Sequence, residues 1–193
     1  METVNLEGMS PVLDLSGVDQ DRRALFWTDT APTIFPGLAI KAIEANPGVG
    51  LIQHSQMGQG AIFAIASAPA EVTYAPRPSS DMGQFLTMML QAEGSTIAHQ
   101  RQRQCELTQG DICFIDERHP FRLVGVEQSQ LLLLRMPRAL VMSRFPEMEH
   151  LVATLIPGRD PGSNLLAHTL IHLLHVAPVL RVASSSTSGG RGG

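Results

Sequence analysis

The chain has 193 residues, of which 44% are hydrophobic and 5% aromatic, and its formal net charge is -4. That length suits one domain with tails and a substantial core, and with this ordinary hydrophobic content disorder is not the default for its middle. Gripping a phosphate backbone takes clustered positive charge. The basic groups here are small, such as Arg101 with Arg103 or Arg135 with Arg138, so direct DNA binding by this chain is not expected.

Residues 1–22 mix Pro, Gly, Asp and Ser with scattered apolar residues and read as a loose N-terminal arm. Their opening, METVNLEGMS, has no basic stretch followed by an apolar one, so no secretory signal is visible. No apolar run in the chain approaches the roughly 18 residues of a membrane helix. These absences predict a cytoplasmic protein with no membrane partner. The folded part is expected to begin at Arg23, with Ala24-Leu25-Phe26-Trp27.

Short apolar runs between turn residues follow: 39–45 before Asn46-Pro47-Gly48, 61–66 after Gly58 and Gly60, and 72–75 before Pro76-Arg77-Pro78. Further runs cover 85–90, 112–115 and 131–134. Such segments in series predict strands of a sandwich or barrel. Cys105 and Cys113 fall at strand-like positions, where a reduced cysteine acts as a small hydrophobe.

After Met136 the period changes. Pro137 suits the first position of a helix running through Leu140, Val141 and Arg144. Pro146 marks a second start, with Glu147 and Glu149 in its first turn and Met148, Leu151, Val152 and Leu155 as an apolar stripe. A third helix is predicted from Ser163 or Asn164, carrying Leu166, Leu170, Leu173 and Leu174 until Pro178. Residues 183–193 have Ser/Gly-rich linker composition. The expected organisation is therefore an arm (1–22), a β sensor (23–136), a helical segment (137–182) and a tail (183–193).

The stretch from Glu93-Gly94 to Ala139 carries a recognisable order of features. Gly94 opens a strand, Leu107-Thr108-Gln109-Gly110-Asp111 makes a tight turn, and Ile112-Cys113-Phe114-Ile115 is the next strand. The polar turn Asp116-Glu117-Arg118-His119-Pro120-Phe121 follows, then Leu131 to Arg135 and the Met136-Pro137-Arg138 step. This resembles the cupin-like sensor domain of AraC/XylS-type transcription regulators, more weakly from Trp27 to Pro178. The resemblance implies a mainly β fold with C-terminal α: a cupin-like jelly-roll β-barrel followed by two or three helices. It also implies a small-molecule effector in the barrel mouth and a homodimer formed through the C-terminal helices. Members usually continue into two helix-turn-helix units, which nothing after Pro178 supplies. The expected function is thus effector sensing and dimerisation without the DNA-binding half. The Ser/Gly end fits either an interdomain linker cut short or the tail of a stand-alone protein.

Two other readings share that fold: a stand-alone cupin metalloenzyme, and a co-regulator that pairs with full-length regulators. A catalytic cupin holds its metal through closely spaced histidines, a carboxylate and a later histidine. Here His99 is followed two residues on by Arg101, leaving His99, Glu106 and His119 as the alternative metal set. No metal, catalytic residue or cofactor is therefore expected. Nor is there a Gly-x-Ser-x-Gly elbow, and Gly58-Gln59-Gly60 is too short for a phosphate-binding fingerprint. His168, His172 and His175 share one face of the third helix, as a polar face, a subunit seam or a pH-sensitive dimer contact.

Analogy with the family's sugar-sensing members nominates four effector contacts, and resemblance to an arginine-bearing strand end common in the family adds Arg77. His119 and Phe121 come from the polar turn, and Gln130 and Leu132 from the following long strand. Phe121 stands where those members can offer a hydroxylated ring, which argues against a sugar. Arg77, at a strand end between two prolines, is placed to meet a carboxylate effector.

Overall fold

A computed structural model of the chain describes residues 9–76, 85–169 and 172. Eleven described strands form two antiparallel sheets. The first sheet runs in the order β1 (Ser10–Asp14), β3 (Gly50–Met57), β4 (Gly60–Ser67), β11 (Ser129–Pro137), β6 (Phe85–Glu93), β9 (Ile112–Asp116). The second runs β2 (Leu38–Ala42), β5 (Ala70–Tyr74), β10 (Phe121–Gly125), β7 (Thr96–Gln100), β8 (Arg103–Leu107). The sheets face each other as a jelly-roll-like sandwich and do not close into a continuous barrel. The mainly β fold with C-terminal helices is as the sequence predicts.

Strand chemistry explains the layering. In β6 all seven interior residues are buried, and every residue of β9 is, the signature of strands covered on both faces. One face of the first sheet meets the second sheet. The other carries Ile62, Ala64, Leu86, Met88, Leu90 and Leu132 under a C-terminal cover that includes Val141, Val152, Ala153 and Ala167. Each large apolar side chain fully buried here contributes about 1.5–3 kcal/mol relative to exposure.

That cover comprises α2 (Arg138–Arg144), a 3-10 segment (Pro146–Leu151) and a helix, α3, described over 161–169. Pro137 is not inside α2 but caps it as the last residue of β11. The second predicted helix is shorter than its stripe implies. It stops at Leu151 because Val152 turns extended and bridges Phe114, while Ile156 bridges Ile112. Burial along the edge of β9 outcompetes helical propagation there. Leu170, Leu173, Leu174 and His175 lie outside the described residues.

The N-terminal reading needs two corrections. Residues 10–14 are not loose: β1 pairs with β3, and Leu13 and Leu15 are buried. Arg23 opens a helix, α1 (Arg23–Ile34), which buries Trp27 and Ala31. Among the described residues no helix is long and apolar enough to cross a membrane.

The Gly-Asp turn behaves as its residues dictate. Gly110 has φ +91°, a conformation open to glycine. One Asp111 carboxylate oxygen accepts from the Thr108 amide and hydroxyl at 2.9 and 2.8 Å, and the other from the Gly158 amide at 2.9 Å. Gly158 lies against Gly110 so closely that a Cβ there would stand 2.3 Å from the Gly110 carbonyl oxygen. Gly158→Ala is expected to push the 157–160 segment off this turn and cost about 1–3 kcal/mol; urea unfolding at the wild-type midpoint would show it, and an unchanged midpoint would contradict it.

Candidate ligand-binding cavity

Between the sheets lies a cavity of about 120 Å³. Its walls are apolar: Ile52, Phe63 and Ile65 from the first sheet face Ile40, Val72 and Leu123 from the second. Helix α1 closes one side with Trp27 and Ala31. Polar groups are few, as expected of a small-molecule pocket.

The most polar wall is built by the end of β9 and the facing part of β11. Glu117 follows β9 and accepts from Thr87 Oγ1 at 2.6 Å, from Arg135 Nε at 2.8 Å and from Arg135 Nη2 at 2.7 Å. The Arg135 guanidinium also lies 4.0 Å over the Phe85 ring, a cation–π contact. Both charges are nearly buried, and the two-pronged geometry is the kind that makes such burial tolerable. Across the cavity, Tyr74 stacks on Phe121 with centroids 4.8 Å apart. The Tyr74 hydroxyl is buried and has no hydrogen-bond partner among the described residues. Burial pushes its ionisation up, reinforced by the Glu117 charge and partly offset by Arg135. It therefore stays a protonated donor.

Asp116, next to Glu117, serves the other side. Its buried carboxylate accepts from the Arg118 amide at 3.1 Å, from Arg118 Nη2 at 2.9 Å and from Arg138 Nε at 3.1 Å, with Arg101 at 3.6 Å. Glu149, in the 3-10 segment, meets the same three arginines at 3.4–3.8 Å. Gln100 locks the turn backbone: its Oε1 accepts from the Asp116 amide at 2.9 Å, and its Nε2 donates to the Asp116 carbonyl at 2.9 Å. Burial pushes the Asp116 carboxyl up, but the hydrogen bonds of Arg118 and Arg138 outweigh it and hold it below the ordinary value.

The nominated contacts separate on this geometry. Phe121 lines the cavity. Leu132 does not: it is buried on the opposite face of its sheet, toward the helices. Gln130 shares that wrong face, and its Nε2 donates to Glu93 Oε2 at 2.7 Å. The side chains of β11 that reach the cavity are Ser129, Leu131, Leu133 and Arg135, one residue out of phase with the nomination. In a run of four leucines flanked by polar residues nothing local marks which parity faces in, and a one-residue offset exchanges the faces. His119 lies outside the cavity, its Nε2 beside the Arg101 guanidinium. Burial, then the neighbouring Arg101 charge, holds the His119 ring below its ordinary pKa. Arg77 lies outside the described residues. Tyr74, Thr87, Glu117 and Arg135 are not among the nominated residues: alternation in β5 and β11 points to Tyr74 and Arg135, whereas β6 is buried throughout and Glu117 follows β9.

The residues of the alternative metal set are not brought together. His99 pairs with Gln104 across β7 and β8, and Glu106 pairs with Ile97. Both stand at the positions alternate to the inward Ala98 and Cys105, and His119 is engaged with Arg101. Among the described residues no three His, Cys, Asp or Glu side chains are grouped to hold a metal ion.

The model of the AraC-binding-like domain matches residues 49–188, a span that holds β3 to β11, nine of the eleven described strands. The chain belongs to this family. Among solved structures, the AraC-like transcriptional activator CuxR is similar over 90% of this chain and 69% of its own, at 13% identity and a TM-score of 0.66. That likeness supports the fold. Smaller matches include a putative ethanolamine utilization protein from Salmonella typhimurium LT2, with 11% identity, 47% and 71% coverage and a TM-score of 0.39. A transcriptional regulator from Vibrio cholerae matches at 17% identity, 46% and 52% coverage and a TM-score of 0.40. No curated protein sequence matches the chain.

Asp116→Asn tests the ion-pair hub. Removing this charge should cost about 3 kcal/mol at neutral pH. Because the folded carboxyl titrates below its unfolded value of 3.8, its contribution is present above that value and lost as pH falls through the folded pKa. Stability measured against pH should therefore fall more gently on acidification in Asp116→Asn than in wild type; parallel profiles would contradict this.

Proposed function

We propose that the chain is the effector-sensing and dimerising domain of an AraC-type transcription regulator, acting in the cytoplasm. Membership of the AraC-binding-like family supports a ligand-binding role. The observation that carries the sensing reading is the apolar cavity, with the unpartnered Tyr74 hydroxyl in its wall. An empty buried donor costs free energy in the unliganded protein, and a ligand that accepts from it removes that cost.

Sensing requires more than a hole: occupancy must reach the surface that pairs subunits. Glu117 faces the cavity, and its neighbour Asp116 holds the arginines that engage α2 and Glu149. A ligand that shifts the Glu117–Arg135 pair therefore pulls on the mount of the C-terminal segment. That segment exposes Leu140, Phe145, Leu155, Leu165 and Leu166, an apolar surface suited to pairing with a second copy. His168 and His172 are exposed on α3 beside it.

Thermal-shift screening with sugars, aromatic acids, amines and neutral alcohols tests the sensing reading. A true effector at about one hundred times its Kd should raise the melting temperature by about 5–10 °C. Leu131→Phe, which adds bulk to the cavity wall, should abolish that rise. If no compound shifts the wild-type melt, or Leu131→Phe leaves the shift intact, the cavity is not the sensor. For the pairing surface, Leu165→Glu should weaken dimerisation at least about tenfold in sedimentation equilibrium, with an unchanged melt of the monomer; equal dimer content would refute it.

A further inference from the structure

Two hydroxyls in the cavity wall have no hydrogen-bond partner among the described residues: Tyr74 Oη and Thr96 Oγ1. Both residues are more than nine-tenths buried. Strand register places them at opposite ends. Tyr74 stands across from Phe121 at the start of β10, beside the wall that holds Glu117 and Arg135. At the other end of β10, Val124 pairs with Ile97, which sets Thr96 beside Gly125. Four residues of β10 separate the two positions, about 13 Å along the strand at roughly 3.3 Å per residue. Between them the wall is Val72, Leu123, Met89, Ile65, Leu131 and Leu133.

The charge balance of the wall limits what can enter. Its carboxylate, Glu117, is paired with its guanidinium, Arg135, and takes the Thr87 hydroxyl as well. An ionised ligand would bring an unpaired charge into a largely apolar, low-dielectric space. A neutral one would bring nothing that the wall must compensate.

We infer that the cavity takes an elongated, uncharged molecule with an apolar body and a hydrogen-bond acceptor at each end. This rests on the sensing reading above and names its ligand class. One end accepts from the Tyr74 hydroxyl and the other from Thr96. An effector carboxylate drawn to an arginine is then the wrong chemistry for this site.

Titration calorimetry at neutral pH with decanediol, decanol and decanoate tests the inference on the full chain. Decanediol should bind about tenfold more tightly than decanol, the return from satisfying a second buried hydroxyl. Decanoate should bind at least about tenfold more weakly than decanol. Tyr74→Phe and Thr96→Val should each bring decanediol close to the decanol affinity. Each removes an unpaired buried hydroxyl, so the urea midpoint of the free protein should stay level or rise, which excludes misfolding as the cause. Decanoate binding as well as decanol, or variants that leave the diol affinity unchanged, would overturn the ligand class and leave sensing intact. If none of the three binds but a charged compound from the wider screen does, the class is again wrong. If nothing in either experiment binds, the sensing reading itself fails.

Discussion

The structure turns on one buried carboxylate. Asp116 has a fully buried side chain at the point where β9 leaves the first sheet and the chain crosses to β10 in the second. An isolated carboxylate there would cost several kcal/mol in desolvation. Arg118, Arg138 and Arg101 remove that cost, and the Gln100 amide satisfies the adjoining backbone. Those arginines come from the turn itself, from α2 and from the β7–β8 hairpin. A single charge thereby fixes the crossing between sheets, the start of the helical cover and the hairpin of the second sheet.

The crossing also sets the chemistry of the cavity. Asp116 and Glu117 are consecutive and engage different partners, one the arginines under the helical cover, the other Thr87 and Arg135 in the cavity wall. One peptide therefore joins the two groups. In the first sheet β6 and β9 are buried on both faces, and close-packed interiors pass strain on rather than absorb it. The free energy available to such coupling is limited by how differently a ligand binds the two arrangements.

Much of the fold was legible because its signals are local. The Gly110-Asp111 turn announces itself through a glycine that takes positive φ and an aspartate that caps neighbouring amides. The Ile112–Ile115 and Leu131–Leu134 runs read directly as strands. Strands such as β3 and β8 were silent, since Gln53, His54, Gln104 and Glu106 interrupt their apolar residues. α1 was missed because Ala24-Leu25-Phe26-Trp27 shows no helical stripe; the helix exists to set Trp27 and Ala31 over the cavity. Of the residues nominated for the site, Phe121 lines the cavity and Leu132 faces the helices. The polar residues that matter, Tyr74, Thr96 and Glu117, acquire meaning only when strands distant in sequence align their faces.

The low aromatic content of the chain has a structural counterpart in the cavity. Its wall includes Ala31, Ala68, Ala70 and Gly125 where larger residues would meet across the gap. Natural cores fill to crystal-like density, and an unfilled space forfeits dispersion contacts around its whole lining. At Gly125 a Cβ would meet nothing closer than 3.7 Å. The few aromatics line the same space: Trp27 on the closing helix, Phe35 tilted on Phe63, and Phe121 stacked on Tyr74. An unfilled apolar space and two unpaired buried hydroxyls each cost free energy. A bound molecule that fills the one and accepts from the other offsets both costs at once, and that is the physical case for a ligand.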